Sequence, residues 1–259
     1  MPPKFKHILI TGASSGIGQA LAENYAAPGV MLSLTGRNTE RLASVTANCR
    51  AKGADVFAKA VCVTDAQAMH DFMTECDTRQ PVDLVIANAG VSGGTGGDAA
   101  GEGMKQTRTI FDINVGGVFN TVEPLLPRML QRKSGQIALM ASLAGFRGWP
   151  GAPAYCASKA AVKVYGEGLR GSLLQTGVKV NVICPGFVVS RMTDANDFSM
   201  PFLMDTDQAA NIIIKGLQRN KGRIWFPLPA YLMTRFFCAL PDDLAIKFLA
   251  KLPAKPVSL

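Results

Sequence analysis

Six short apolar runs, alternating with longer helix-length segments, restrict this sequence more than any other feature in it. "HILIT" (7–11), "VMLSLT" (30–35), "VFAKAV" (56–61), "VDLVIAN" (82–88), "QIALMA" (136–141) and "VKVNVIC" (178–184) are rich in Val, Ile and Leu, and several are apolar throughout. Such a run suits a strand covered on both faces, as in a parallel sheet between two helical layers. The helix-length segments are 16–27, 39–52, 65–79, 106–132 and 154–176. Thr64 followed by Gln67 fits a capping box that would open the third of them. The alternation predicts an α/β fold, a doubly wound parallel sheet in three layers (αβα) with right-handed crossovers. No repeat or linker interrupts the pattern, so residues 1–259 are expected to form a single domain.

A chain with 48% hydrophobic and 18% charged residues can bury a large core. The start, "MPPKFKHILITG", has only a short apolar run and no signal-peptide pattern, which leads to an expected cytoplasmic location. Cys49, Cys62, Cys76, Cys156, Cys184 and Cys238 form no C-x-x-C pair, and the only histidines are His7 and His70. No metal site is therefore expected, and the thiols are read as reduced and mostly buried. Of the net charge of +8, residues 208–259 carry +6, with eight Lys/Arg and two Asp. A uniformly basic nucleic-acid binder does not distribute its charge in this way, so no nucleic-acid partner is expected.

"TGASSGIG" (11–18) follows the first apolar run and opens the first helix. In that setting Gly12 can make the tight turn, Gly16 lets a pyrophosphate approach the backbone, and Gly18 lets helix pack closely on sheet. The helix start adds N–H donors and the positive end of its dipole. Ser14, Ser15 and Ile17 belong to the same cofactor-binding loop. After the second strand, "SLTGRN" (33–38) has Gly36 where NAD binders usually keep an acid, then Arg37 and Asn38. A guanidinium suits a 2′-phosphate, so NADP(H) is expected over NAD(H); otherwise Arg37 is a solvated residue after a strand.

In "AYCASKAAVK" (154–163), Tyr155 and Lys159 stand four apart on one helix face. A phenol ionises near pH ~10, and bringing it to neutrality takes ~3 units, or ~4 kcal/mol. One cation at ~4 Å in an effective dielectric of ~20 supplies about that much. Lys159 is therefore expected to lower the Tyr155 pKa and make it a general acid–base. "LMASLAG" (139–145) leaves Ser142 at the carboxyl edge of the sheet, where open α/β sheets bind ligands, so its hydroxyl could hold a carbonyl oxygen.

Taken in order, "TGASSGIG", "ANAG" (87–90), "DINVGG" (112–117), Ser142, "YCASK" (155–159) and "PG" (185–186) make the chain resemble the short-chain dehydrogenase/reductase family. The likeness runs over about residues 5–190, to the compact single-domain branch with a Rossmann-type fold. It implies that Ser142 orients a substrate carbonyl, Tyr155 exchanges its proton, and Lys159 also holds the nicotinamide ribose. Asn114 would bind a water linking Lys159 to solvent. Asn88, Ala89 and Gly90 would flank the cofactor. Pro185, Gly186, the Val188 backbone and the Ser190 hydroxyl would hold the carboxamide, although the family usually has Thr in the last place. "VCVTD" (61–65) puts Cys62 where relatives often have an acid on the adenine, leaving that contact to the Val63 backbone. The resemblance also implies a homodimer or homotetramer built through 106–132 and 154–176.

"GVSGGTGGDAAGEG" (90–103) lacks the Lys/Ser pair of a P-loop and is read as a mobile loop beside the substrate cleft. Cys156 and Cys184 are read as core residues rather than redox-sensitive thiols. In "FVVSRMTDANDFSMPFLM" (187–204), Phe187, Met192, Phe198, Met200, Phe202 and Met204 either form a greasy lid (187–205) over an apolar carbonyl substrate or merely pack the flap. The basic, aromatic extension 228–259 is broken by Pro229 and Pro241 after Pro227, which argues against a membrane span. It would pack on the body or on another subunit, or else lie in a membrane surface as a peripheral contact. The expected function is an NADP(H)-dependent oxidoreductase interconverting a ketone or aldehyde with an alcohol. The alternatives are a membrane-surface reductase of a lipid-like carbonyl and a non-catalytic NADP(H)-sensing regulatory protein.

Overall fold

A computed structural model of the chain describes residues 4–97 and 101–257. Seven parallel strands, β1 (His7–Thr11), β2 (Met31–Thr35), β3 (Asp55–Lys59), β4 (Leu84–Ala87), β5 (Gly135–Met140), β6 (Val178–Pro185) and β7 (Arg223–Phe226), form one sheet in the order β3-β2-β1-β4-β5-β6-β7. The helices are α1 (Gly16–Tyr25), α2 (Thr39–Ala51), α3 (Ala66–Arg79), α4 (Met104–Phe111), α5 (Gly117–Val122), α6 (Leu126–Gln131), α7 (Pro153–Ser172), α8 (Arg191–Asp194), α9 (Thr206–Gln218), α10 (Leu228–Ala239) and α11 (Asp242–Leu249).

Alternate strand residues feed two separate cores, which is why the strands are apolar without interruption. Ile8 and Ile10 of β1, with Leu84 and Ile86 of β4, join Leu21 of α1, Val45 of α2 and Ile213 of α9 on one face. Leu9, Val85 and Ala87 face the other way, onto Phe72 of α3, Val122 of α5 and Val162 of α7. The result is the expected three-layer, doubly wound sheet. Strand order reverses at β1, flanked by β2 and β4, and the carboxyl ends of β1 and β4 therefore open a crevice at that switch point.

Four local expectations are corrected. Asp65, not Thr64, caps α3: its carboxylate accepts the Ala68 N–H at 2.9 Å, while the Thr64 hydroxyl pairs with Cys62 Sγ at 3.1 Å. The segment 106–132 is not one helix but α4, a π-helical turn (Asp112–Gly116), α5 and α6. Gly117 lets α5 press onto the third crossover, since a Cβ there would stand 2.7 Å from Val63 Cγ2, and Pro127 falls at the start of α6. β7 and helices α8–α11 extend the predicted set. The prolines of the tail start helices rather than break them: Pro227 and Pro241 are N-cap residues, and Pro229 sits in the first turn of α10, where no N–H is missed. Among the described residues no helix is long and apolar enough to cross a membrane.

Candidate active site

The carboxyl ends of the central strands border a cleft of about 1240 Å³. Every site residue predicted from the sequence lines it except Gly18 and Asn114, which stand behind its wall. At one end is the β1–α1 loop. Gly12 (φ +66°) and Gly16 (φ +55°) take a left-handed backbone that favours glycine. A Cβ on Gly18 would come within 2.3 Å of the Gly12 carbonyl, and one on Gly12 within 2.8 Å of Ala89 Cα. Asn88 closes the same corner, donating to the carbonyls of Thr11 (2.9 Å) and Gly12 (3.2 Å), while Thr11 Oγ1 accepts the N–H groups of Asn88 and Ala89. The α1 N-terminus differs from its neighbours. Side chains of Asn38, Asp65 and Asp205 cap α2, α3 and α9, but the N-cap Ser15 of α1 gives no such bond and its first turn holds no acid. Its first N–H groups are thus open to an anion.

Beyond β2, a Cβ on Gly36 would lie 2.9 Å from Ser14 Oγ, so a longer acidic side chain does not fit this position without displacing Ser14. Arg37 and Asn38 line the cleft, and so does Arg41, one helical turn on, which was not singled out from the sequence. The Cys62 thiol is held below its ordinary value, first by its hydrogen bond with Thr64 and further by the charge of Arg37. It is one of two thiols, with Cys238, that are only half-buried.

At the other end stand Ser142, Tyr155 and Lys159. Ser142 follows β5 in extended backbone; its hydroxyl accepts the Ala144 N–H (3.1 Å) and donates to the Pro185 carbonyl (3.3 Å). Tyr155, in the first turn of α7, shares a hydrogen bond with that hydroxyl. Lys159, 3% exposed, donates to the Met140 carbonyl at 2.8 Å, with Nζ 5.9 Å from the Tyr155 ring centroid. Asn114 sits in the π-helical turn, fully buried, exchanging hydrogen bonds with the Val91 backbone (2.8 and 2.9 Å) and donating to Ser158 Oγ (3.0 Å). Gly90 separates it from Lys159: a Cβ there would be 3.1 Å from Asn114 Oδ1 and 3.3 Å from Lys159 Nζ.

The electrostatics correct the expectation that Lys159 lowers the phenol. Burial pushes Tyr155 up to about 12, against the opposing Ser142 hydrogen bond, and the same burial pulls Lys159 down to about 8. Desolvation penalises the charged form of each and is the leading cause of both shifts.

The flap after β6 is closed at its base by a bridge between Val188 and Met204, both of which pack with the core. The Ser190 hydroxyl is engaged in a capping box with Thr193 at the start of α8, and its Cβ would lie 3.3 Å from one built on Gly16. Phe187, Met192 and Phe198 line the cleft, with Trp149 edge-on to Phe198 at 5.7 Å. Met204 packs against the core and Phe202 is 48% exposed, so only part of the flap's apolar set faces the site.

The tail forms the remaining wall, which sequence reasoning missed. Met233, Phe237, Leu249, Leu252 and Lys255 all line the cleft. The glycine-rich loop after β4 is tied down where it meets them: Gly96 N donates to the Lys255 carbonyl (2.9 Å), and Thr95 N (3.1 Å) and Lys255 N (3.4 Å) both donate to Gly151 O. A Cβ on Gly94 would collide with Lys255 at 2.3 Å, so glycine is what admits the tail. Residues 98–100 of the expected mobile loop lie outside the described residues.

A nucleotide-sized cleft at the switch point, with an uncapped glycine loop at one end and a Ser–Tyr–Lys group at the other, defines the class of protein. The family model for short chain dehydrogenases matches residues 6–199, and the chain belongs to that family of oxidoreductases. It is 40% identical over 241 residues to a protein of Myxococcus xanthus described as an uncharacterized oxidoreductase, covering 93% of this chain and 94% of that one. Two solved short-chain dehydrogenases superpose over nearly the whole chain at 25% identity. One, from Burkholderia phymatum in complex with NAD, has a TM-score of 0.82 and covers 98% of each chain. The other, from Sphingobium yanoikuyae in complex with NADPH, has a TM-score of 0.79 and covers 97% of this chain and 98% of that one.

Proposed function

We propose that this oxidoreductase interconverts a ketone or aldehyde with an alcohol using NADP(H), and that Tyr155 exchanges the proton with the substrate oxygen. The observation that carries the reading is the hydrogen-bonded Tyr155–Ser142 pair with buried Lys159 beside it, on the wall of the cleft that begins at the α1 N-terminus. A dinucleotide fits the opposite end: the glycine cradle leaves no room for side chains, and the N-cap Ser15 side chain does not bond the first helix N–H groups. Solved relatives hold NADPH and NAD in complexes of the same fold. When bound, the nicotinamide supplies or takes the hydride.

Gly12, Ser14, Ser15, Gly16 and Ile17 receive the pyrophosphate, with Gly18 and Asn88 bracing the loop. Arg37 and Asn38, joined by Arg41, meet the 2′-phosphate, and Val63 meets the adenine. Ala89 and Gly90 flank the ribose, which Lys159 binds. Pro185, Gly186, Val188 and Ser190 enclose the carboxamide. Burial keeps Tyr155 protonated at neutral pH, ready to donate to a carbonyl oxygen that Ser142 holds. Asn114 stands beside Lys159 at Gly90 and serves the proton path from that side.

The test is NADPH absorbance followed across a panel of apolar ketones and aldehydes. Turnover is expected, with kcat/KM for NADPH about tenfold or more above that for NADH, equivalent to ~1.4 kcal/mol. Tight NADPH binding without turnover of any carbonyl would favour the sensing protein instead.

A second reading rests on the outward faces of α10 and α11, where Leu232, Phe236, Ile246 and Phe248 are exposed beside Lys247 and Arg235. Such a face suits attachment to an anionic lipid surface, with the cleft drawing a lipid-like carbonyl from it. Flotation with anionic liposomes is expected for the full chain and not for a chain ending at residue 227; no flotation of either removes the membrane reading.

A further inference from the structure

Lys255 is a second buried lysine in the cleft, and the chemistry assigned above does not use it. It is 6% exposed, and its Nζ stands 5.3 Å from the Tyr155 ring centroid, a distance comparable to that of Lys159. Its backbone is fixed by the Gly96 and Gly151 hydrogen bonds, so the side chain is delivered there by a built strap rather than by a loose end. Among the described residues no group accepts a hydrogen bond from its ammonium and no carboxylate pairs with it. Glu102, behind the first turn of α7, accepts the Ala154 N–H at 2.7 Å and makes no ion pair with Lys255. Among the described residues, the face of Tyr155 is the aromatic ring its ammonium stands over. Burial pulls Lys255 down to about 8, so it is mostly charged at neutral pH despite the cost of desolvation, a cost that an anion would relieve. A second donor on this wall is Trp149 Nε1, buried with no acceptor among the described residues; Gly151 stands close to both the Trp149 ring and the Lys255 backbone, since a Cβ there would lie 3.2 Å from each. Apolar side chains on this wall are Phe187, Met192, Phe198, Met233 and Leu252; of the other cations lining the cleft, Arg147 is paired with Asp242 at 2.8 Å and Arg191 is exposed in the flap.

The geometry points to Lys255 as the binding group for a substrate carboxylate, so that the preferred carbonyl compound is an apolar oxo acid whose acid group lies within a few bonds of the carbonyl held at Tyr155. The inference rests on the carbonyl-reductase reading of the same site and supplies its substrate class. One buried ammonium matches a monoanion, and a charge-assisted hydrogen bond to it favours the acid over its neutral ester by about tenfold or more.

Two measurements separate this inference from the reading beneath it. In the first, NADPH oxidation is followed with γ-oxononanoate and with its methyl ester. The wild type is expected to show an acid-to-ester ratio of kcat/KM of about ten or more, and Lys255→Met to bring that ratio near one. Equal use of acid and ester by the wild type, or an equal fall of both in the variant, overturns the inference; the latter would assign Lys255 to Tyr155 rather than to substrate. In the second, calorimetry measures nonanoate, which cannot be reduced, binding to the NADP-saturated protein. Lys255-dependent binding without turnover of any carbonyl would remove the reductase reading and leave the carboxylate site standing. Nonanoate bound equally by wild type and Lys255→Met overturns the site whether or not the protein turns over.

Discussion

Replacing Tyr155 by phenylalanine is expected to lower kcat for carbonyl reduction by about a thousandfold while leaving NADPH binding within about twofold, since a positioned general acid contributes ~10²–10⁴ in rate. The ring, its place in the first turn of α7 and its packing persist in the variant; only the hydroxyl that meets Ser142 is removed. Stopped-flow reduction and fluorescence titration of NADPH separate the two effects. The direction of the pKa shifts fixes the pH dependence. With Tyr155 raised to about 12, the phenol is protonated across neutral pH, so the reduction rate should not depend on its titration there. With Lys159 lowered to about 8, its charge is present below that value and lost above it, so kcat/KM for reduction should decline as pH rises through about 8. Alcohol oxidation needs the deprotonated phenol, so with Tyr155 raised to about 12 its rate should go on climbing with pH above 8 rather than level off there. A Tyr155→Phe protein retaining more than about a tenth of the activity would remove the tyrosine from the chemistry.

The sheet was legible because each strand serves two cores, so the signal is a solid apolar run. All six predicted strands fall within two residues of their ends in the structure; "VDLVIAN" (82–88) overshoots its start by two and its end by one. The cofactor end was legible for a similar reason: its residues are contiguous, and glycine at 12, 16 and 18 is required by backbone angle or by contact with atoms nearby in sequence and across one strand. What stayed hidden depends on partners far along the chain. β7 is only four residues long and is recognisable only beside β6. The tail's prolines, taken singly, look like interruptions; in the structure they begin α10 and α11. Lys255 is one of many lysines in a basic segment until Gly94 and Gly151 admit the tail to the cleft. The tyrosine's electrostatics misled because sequence spacing gives the distance between charges but not the loss of water around them. In a site this enclosed, desolvation is the larger effect.

Arg37→Glu is expected to lower kcat/KM for NADPH by about a hundredfold and to leave NADH within about threefold, inverting the cofactor preference. Gly36 is packed so closely on Ser14 that a carboxylate for the ribose hydroxyl does not fit there, so discrimination falls to the side chains at the mouth of the cleft. Arg37 and Arg41 both face that mouth, and a guanidinium can offer a phosphate two parallel hydrogen bonds. The glutamate replaces attraction with repulsion for NADPH, whereas a neutral 2′-hydroxyl can donate to it. Both arginines are exposed, so the wild-type preference should also shrink as salt rises from about 0.05 to 0.5 M, where the screening length falls well below ~10 Å. Arg41→Ala, which removes one partner without reversing charge, should cost NADPH about tenfold. Equilibrium titration of both cofactors against the three proteins reads these differences directly. If Arg37→Glu weakens NADH and NADPH by the same factor, Arg37 acts on something common to both, such as the adenine wall near Cys62, and the 2′-phosphate assignment fails.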